Sequence, residues 1–478
     1  MILDQIVRER RKDILRAKKE RPLDQFILDL QPSDRDFRSI CSPGSFGIIA
    51  EFKRRSPSEG PIGQSPDLAE TVGLYDRIPH IKALSILTES RHFGGSAEDL
   101  RTARQLTAKP LLRKDFIIDE YQVYESRFFG ADAILLIARI LSPYQISAFA
   151  RRARQMNMHV LCEIHDEQDL AKVPAGMDII GINNRDLDSL QIDLGSTASL
   201  SAKLKKDYNP VPAVPAGHGK RSVPPLITVT ESGIHKRSDL EKVRYHAQAA
   251  LIGTGILKSG DPEQWFQDLF RPRVKICGIT RVDDAQLAAE LGADNLGFVM
   301  HRKSPRYIDA GEAELIIKQI RARFPDIVFS GVYADEPDDI VLSDLQLASF
   351  DYIQSFRDIP SLPRQKQIRT LRVDSDITPL PEHASEYRAL LLDTGHPNLA
   401  GGTGQRFNWQ LIRQLPSDIP YIVAGGIDSN NLTELLDLQV PYIDLSSSLE
   451  SSPGKKDEDK MRSFFKALNS GQNKAENI

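Results

Sequence analysis

Ile227-Thr-Val-Thr-Glu-Ser-Gly233, followed about twenty residues later by Ala250-Leu-Ile-Gly-Thr-Gly255, decides the fold, because the pattern recurs. The second copy is Tyr421-Ile-Val-Ala-Gly-Gly426, followed at a similar distance by Tyr442-Ile-Asp-Leu-Ser-Ser-Ser448. Each is a short β-branched, apolar run ending in small residues, then one helix worth of chain, then another such run. Small residues let backbone N–H groups approach an anion closely, and a following helix adds a favourable dipole. A phosphate seat on the last two strand-to-helix loops is a feature of (β/α)8 barrels. The repeat therefore predicts an α/β chain of two tandem (β/α)8 TIM barrels, each with its own phosphate seat.

Working outward, strand-like runs in the first half fall at Ile48–Lys53, Ile81–Thr88, Pro110–Phe116, Asp132–Ala138, Met158–Ile164, Ile179–Asn184, Leu226–Gly233 and Ala249–Gly255. After Trp265 and the Arg271-Pro-Arg273 break the count restarts, at Val274–Gly278, Asn295–Met300, Ile327–Ala334, Tyr352–Phe356, Gln367–Val373, Arg388–Thr394, Tyr421–Gly426 and Tyr442–Ser448. Apolar strands alternating with amphipathic helices imply parallel sheets. The expected organisation is a first barrel over 1–260, a linker over 261–272, a second barrel over 273–469 and a flexible tail over 470–478. Residues 1–47 precede the first strand and are expected to form extra helices that cap that barrel. Lys203–Pro225, with five prolines and no periodicity, reads as an insertion on the barrel face remote from the site.

Composition narrows the class. The length of 478 residues exceeds one ordinary domain, and 40% hydrophobic content suffices for buried cores. A formal charge of −4 without a basic stripe argues against nucleic acid, and the longest apolar run, Ala133–Ala138, is too short to span a membrane. Cys41, Cys162 and Cys277 are odd in number and widely spaced, which predicts no disulfide framework or zinc cluster and a cytoplasmic protein. No metal-ligand cluster is evident among the ten histidines, so no metal is expected, and the family motifs quoted below imply no organic cofactor. Oligomeric state is not encoded legibly; a monomer is compatible with everything above.

Polar residues interrupt the first set of strands near their C-terminal ends. Glu51 and Lys53 share one face of the first strand, Lys114 ends the third, Glu163 the fifth, Asn183 the sixth and Ser232 the seventh. Converging Lys and Glu in a barrel mouth can be tuned as acid and base. Taken singly each could be a structural ion pair; their common register favours a site.

Ala50-Glu-Phe-Lys-Arg-Arg-Ser-Pro-Ser58 with Gly60, Phe93-Gly-Gly-Ser96, Leu112-Arg-Lys-Asp-Phe-Ile117, Cys162-Glu163, Gly181-Ile-Asn-Asn-Arg-Asp-Leu187, Glu231-Ser-Gly-Ile234 and Gly253-Thr254 together resemble indole-3-glycerol-phosphate synthase over about residues 1–260. The resemblance implies cyclisation and decarboxylation of 1-(2-carboxyphenylamino)-1-deoxyribulose 5-phosphate. It implies Lys114 as general acid at the substrate carbonyl, Glu163 as acid/base in loss of water, and Lys53 at the carboxylate or in dehydration. Glu51 and Asn183 would position these groups. Ser56, Arg185, Ser232, Gly233, Gly253 and Thr254 would bind substrate and phosphate, and Phe116 would pack on the anthranilate ring.

Lys275-Ile-Cys-Gly-Ile-Thr-Arg281, Ser304-Pro-Arg306, Leu392-Asp-Thr394, Gly401-Gly-Thr-Gly404, Ala424-Gly-Gly-Ile427, Ile443-Asp-Leu-Ser-Ser447 and Pro453-Gly-Lys-Lys-Asp457 resemble phosphoribosylanthranilate isomerase over roughly 272–468. That family implies an Amadori rearrangement of N-(5-phosphoribosyl)anthranilate to the substrate of the first half. Asp393 matches its general acid and Cys277 its general base. Arg306 would meet the anthranilate carboxylate, while Gly425, Gly426, Asp444 and Ser446 would seat the phosphate, Asp444 through its amide. Lys275, two residues before Cys277, is expected to depress the thiol pKa. One departure stands out: the fourth strand, which in such isomerases usually ends Gln-Leu-His-Gly, here reads Gln354-Ser-Phe-Arg357. The implied function is a bifunctional enzyme of tryptophan biosynthesis acting on phosphosugar-anthranilate substrates; the alternative is an active synthase fused to a weakened or binding-only isomerase-like barrel.

Overall fold

The computed structural model describes residues 2–42, 45–56, 60–61, 67–186, 189–207, 225–374, 379–394 and 406–471. The chain divides into two compact units, Met1–Leu269 and Phe270–Ile478. In the first, strands β1 (Gly47–Phe52), β2 (Ile81–Leu87), β3 (Leu111–Lys114), β4 (Ala133–Ile137), β5 (His159–Ile164), β6 (Ile179–Asn183), β7 (Ile227–Glu231) and β8 (Ala249–Ile252) close into a parallel barrel. In the second, β9 (Arg273–Cys277), β10 (Asn295–Val299), β11 (Val328–Val332), β12 (Tyr352–Ser355), β13 (Gln367–Val373), β14 (Ala389–Thr394), β15 (Tyr421–Val423) and β16 (Tyr442–Leu445) do the same. Both barrels contain eight strands in chain order, as the two sets of apolar runs predict.

Several strands stop short of their expected ends, for a steric reason. Ser232, Gly233, Gly278, Gly425 and Gly426 have φ values of 66°, 92°, 79°, 84° and 62°. A left-handed residue cannot continue a strand, so the chain turns out of the sheet there. The helices between strands of the first barrel start on local caps. Ser96 and Ser142 each form a reciprocal capping box with the residue three positions on, Asp99 and Gln145, and Pro143 occupies the first turn behind Ser142. In the second barrel the connections after β12, β13 and β14 carry only 3-10 turns among the described residues, at Arg364–Lys366, Ala384–Glu386 and Trp409–Gln414. Pro360, Pro363, Pro379, Pro381 and Pro416 punctuate these segments, and proline cannot donate to a helical ladder.

Both ends of the first barrel are closed by the segment before β1. The helix α1 (Ile2–Glu20) is tied to the loops after β2 and β3 by Arg91–Asp13 (3.0 Å), Lys18–Asp119 (2.8 Å) and an Arg10–Asp115 ion pair. At the other end the turn Phe37–Ile40 inserts Phe37 and Ile40 among Ile49, Ala133, Ile179 and Ile227 inside the barrel. Segment 261–272, expected as a linker, holds the helix Pro262–Phe270, whose Phe266 and Leu269 are buried and whose Trp265 Nε1 donates to His235 O at 3.0 Å. Of Lys203–Pro225, residues 203–207 finish the helix Gly195–Asp207, and 208–224 lie outside the described residues. Of the tail, Ser470 and Gly471 end the helix Glu458–Gly471, and 472–478 lie outside the described residues. Among the described residues no helix is long and apolar enough to cross a membrane.

Candidate active sites

At the C-terminal end of the first barrel a cavity of about 180 Å³ is lined by Glu51, Lys53, Ser56, Lys114, Phe116, Glu163, Asn183, Arg185, Ser232, Gly233, Gly253 and Thr254. Every residue named for this site from the sequence therefore faces one space. Leu3 and Ile6 of α1 line it as well, so the N-terminal segment contributes wall in addition to cap. The Phe93 and Phe116 rings stand 6.3 Å apart between centroids, an apolar patch beside the charges.

Those charges form one network. Lys114 Nζ lies 2.7 Å from Glu231 Oε2, 3.6 Å from Glu51 Oε2 and 3.9 Å from Glu163 Oε2. Lys53 Nζ donates to Glu51 Oε1 at 2.7 Å. Burial disfavours charge on Lys114, but Glu231, Glu51 and Glu163 outweigh it and raise its pKa well above the usual lysine value. Burial would also raise Glu51; Lys53 and Lys114 reverse this and hold its carboxyl below the ordinary range. Glu231 behaves differently. Burial pushes it up to about 7, with Lys114 pulling it back and Glu163 adding to the rise.

Glu231 opens the Glu231-Ser-Gly-Ile234 motif, whose spacing alone assigns it no role. The signal that could have found it is its position two residues before Gly233 at the end of β7, opposite Asn183 in register. Its side chain reaches inward across Gly181, where an added Cβ would lie 2.1 Å from Glu231 Oε1. Gly253 makes room for Glu51 in the same way, with an added Cβ 2.4 Å from Glu51 Oε1. That adds a packing reason for glycine at a position expected only to approach phosphate. Asn183 Oδ1 accepts from Ser232 Oγ at 2.9 Å and from Arg185 N at 3.1 Å, so Asn183 holds the loops after β6 and β7 together.

In the second barrel Cys277 ends β9 and Asp393 lies one residue from the end of β14, both on the C-terminal side. Between them the barrel interior is polar. Lys275, fully buried, donates from Nζ to Asp444 Oδ2 and Gln354 Oε1, each at 2.9 Å. The Asp444 carboxylate is thus committed to a lysine inside the barrel, consistent with an amide contribution at the phosphate seat. The expected depression of the Cys277 thiol is overturned. Burial pushes its pKa up, Lys275 opposes this, Asp444 adds to it, and burial wins. Asp393 is raised by burial to about 6, with the Thr394 N–H lowering it and Asp444 raising it.

Arg306 is engaged by Glu450, with Nε to Oε1 at 2.9 Å and NH2 to Oε2 at 2.7 Å. Lys456 Nζ binds Glu450 Oε1 at 3.0 Å and the Cys277 carbonyl at 2.6 Å. A substrate carboxylate at Arg306 would therefore compete with Glu450. Gly278, beside Cys277, packs against both Arg306 and Ser446, which brings the last loop next to β9. Gly425 and Gly426 follow β15, and Ser446 starts the turn Ser447–Leu449. The departure at the fourth strand has a structural role. Arg357 NH1 pairs with Asp338 Oδ1 at 2.5 Å, and the Arg372 guanidinium stands 4.9 Å from the Phe356 ring centroid. The motif Gly401-Gly-Thr-Gly404 lies outside the described residues.

A family model described as indole-3-glycerol phosphate synthase matches residues 3–217, and one described as N-(5'-phosphoribosyl)anthranilate isomerase matches 274–467. The tryptophan biosynthesis protein TrpCF of Salmonella typhi is 31% identical over 98% of this chain and 99% of its own length. That of Vibrio cholerae is 32% identical over 98% and 96%. Phosphoribosyl anthranilate isomerase from Thermus thermophilus, a solved structure, aligns with 41% of this chain and 98% of its own at 34% identity and a TM-score of 0.36.

Proposed function

Because the chain belongs to the bifunctional TrpCF family of tryptophan biosynthesis, with a synthase unit followed by an isomerase unit, we propose a division of labour between its two barrels in which each named side chain has one task. The second barrel isomerises N-(5-phosphoribosyl)anthranilate to 1-(2-carboxyphenylamino)-1-deoxyribulose 5-phosphate, and the first converts that product to indole-3-glycerol phosphate, carbon dioxide and water.

The observation that carries the synthase assignment is Lys114 among three carboxylates at 2.7, 3.6 and 3.9 Å. Held cationic, its ammonium donates to the substrate carbonyl oxygen as the ring carbon attacks, stabilising the charge that develops there. Loss of carbon dioxide follows. Glu163 then donates a proton to the departing hydroxyl, which leaves as water, and the C1 proton lost as the indole double bond forms passes to Glu231, whose carboxyl, raised to about 7, exchanges a proton near neutrality. Lys53, paired with Glu51, stands where a substrate carboxylate would meet a cation. Ser232, Gly233, Gly253 and Thr254 seat the phosphate, a remote anchor whose binding energy orients the reacting carbons.

In the isomerase, Asp393 protonates the furanose ring oxygen and Cys277 takes the proton from C2. An acid near 6 retains its proton in part at neutral pH. A buried thiol with a raised pKa ionises rarely, and the thiolate that forms is correspondingly basic. The presence of both groups at the C-terminal side of one barrel favours catalysis over a binding-only second unit. Cytoplasmic residence is part of the same proposal, supported by three free cysteines.

The test is cross-complementation. Lys114→Ala and Cys277→Ser proteins, each supplied alone with phosphoribosylanthranilate, should make no indole-3-glycerol phosphate, and an equimolar mixture should make it. Product from either variant alone at the wild-type rate would remove that residue from the scheme.

A further inference from the structure

Behind Glu163, on the side away from Lys114, lies a buried imidazole to which the reaction scheme gives no task. His165 follows Glu163 by two residues, the first position past the end of β5, and its side chain is 3% exposed. Its Nε2 lies 3.3 Å from Glu163 Oε1, and its Nδ1 lies 3.3 Å from Asp169 Oδ2. Both contacts are within ion-pair range, and neither ring nitrogen makes a well-aligned hydrogen bond. A buried polar ring in that condition is costly unless something recovers the cost.

Asp169 is itself anchored. Arg139 Nε reaches its Oδ2 at 3.0 Å, Lys172 Nζ its Oδ1 at 3.6 Å, and the His165 backbone N–H donates to Oδ2 at 3.2 Å. Arg139 also binds Asp166 at 2.6 Å and feels Asp186 from the loop after β6. From the barrel interior Glu163 meets Lys114 of β3 at 3.9 Å and the charge of Glu231 of β7. The groups thus run from the surface inward as Arg139, Asp169, His165, Glu163 and Lys114, with alternating sign when His165 is protonated. Burial would lower the His165 pKa, but Asp169 and Glu163 outweigh it and raise it above the ordinary histidine value.

We propose that His165 is a positioning residue of the synthase: anchored by Asp169, it holds the Glu163 carboxyl in place opposite Lys114 and supplies the counter-charge when Glu163 gives up its proton. It touches no substrate atom. The inference rests on the acid/base task proposed for Glu163. Once Glu163 has passed a proton to the departing hydroxyl, its carboxylate stands in a site that already holds the Glu51 carboxylate and the Glu231 carboxyl. Lys114 is shared among all three, whereas an imidazolium at Nε2 serves Glu163 alone. Raising the pH through the His165 pKa removes that counter-charge.

Two measurements test this. In the full-length protein, His165→Gln should lower synthase kcat about tenfold with KM within twofold. Wild-type kcat should fall as pH rises past the His165 titration, His165→Gln should lack that fall, and Glu163→Gln should be nearly inactive. Nuclear magnetic resonance of the wild-type imidazole, which needs no folded His165 variant, should place the His165 titration above 6.5, and Glu163→Gln should move it downward. The proposal is overturned if His165→Gln keeps kcat within twofold and the wild-type pH profile while Glu163→Gln is dead. An imidazole titration unmoved by Glu163→Gln overturns it equally. An active Glu163→Gln would instead overturn the task given to Glu163, and the positioning role with it.

Discussion

Replacing Lys275 by Met removes the ammonium from the interior of the second barrel while nearly preserving its volume. Lys275 is fully buried, and its partner Asp444 is 9% exposed with Oδ1 already lacking a hydrogen bond. At 2.9 Å and an effective dielectric constant of about 20, the pair attraction is roughly 6 kcal/mol. Relief of the lysine's own desolvation offsets part of that, and breaking such a pair costs about 3–5 kcal/mol. For a unit of this size each kcal/mol moves the midpoint by about 2–4 °C, so the second unit should melt about 6–20 °C earlier. Gln354 Oε1 loses its donor. Cys277 loses the neighbour that opposes its rise, so its thiol moves further up and isomerase kcat should fall at least tenfold. Differential scanning calorimetry reads the first effect and loss of anthranilate-type fluorescence on phosphoribosylanthranilate the second, with the synthase unaffected. Lys275→Met with Asp444→Leu should regain most of the stability, since no unpaired charge remains, without regaining isomerase. A single variant that melts within 2 °C of wild type with full isomerase activity would refute the reasoning.

Three further outcomes follow from the same geometry. Lys114→Ala should cost the synthase about 10²–10⁴-fold in kcat and leave the isomerase rate unchanged; a synthase rate within threefold of wild type would dismiss the assignment. Glu231 retains a proton in the folded state up to about pH 7, whereas the unfolded chain releases it near 4.3. Stability of the first unit should therefore decline as pH rises between those values, and Glu231→Gln should shrink that decline in denaturant titrations. Cys277, with its pKa raised by burial, should react with iodoacetamide at pH 7.5 no faster than the more exposed Cys41; preferential labelling of Cys277 would show that the thiolate is stabilised after all.

The fold was legible because its strands announce themselves. Runs such as Ala133–Ile137 and 179–182 carry no polar side chain, since both faces of a barrel strand are covered, and left-handed small residues such as Gly233 and Gly426 follow some of the strands and mark where they stop. The 3-10 connections after β12, β13 and β14 were less legible, since proline ends a helix but does not say what replaces it. Within the site, residues at strand ends could be placed by register, which is why Glu51, Lys114 and Glu163 converge as expected. Glu231 and His165 escaped because their importance lies in contacts across the barrel or behind a neighbour, which spacing does not reveal. The sign of the Cys277 shift escaped for the same reason: sequence shows Lys275 two residues away but not that burial outweighs it.

The central claim is that one chain performs two consecutive reactions. Purified protein mixed with phosphoribosylanthranilate alone tests it most directly, by following anthranilate-type emission and indole-glycerol absorbance in one cuvette. The account predicts loss of the emission and then growth of the absorbance to the same molar amount, with no added metal or cofactor. Persistent emission, or its loss without any indole-3-glycerol phosphate, would contradict it.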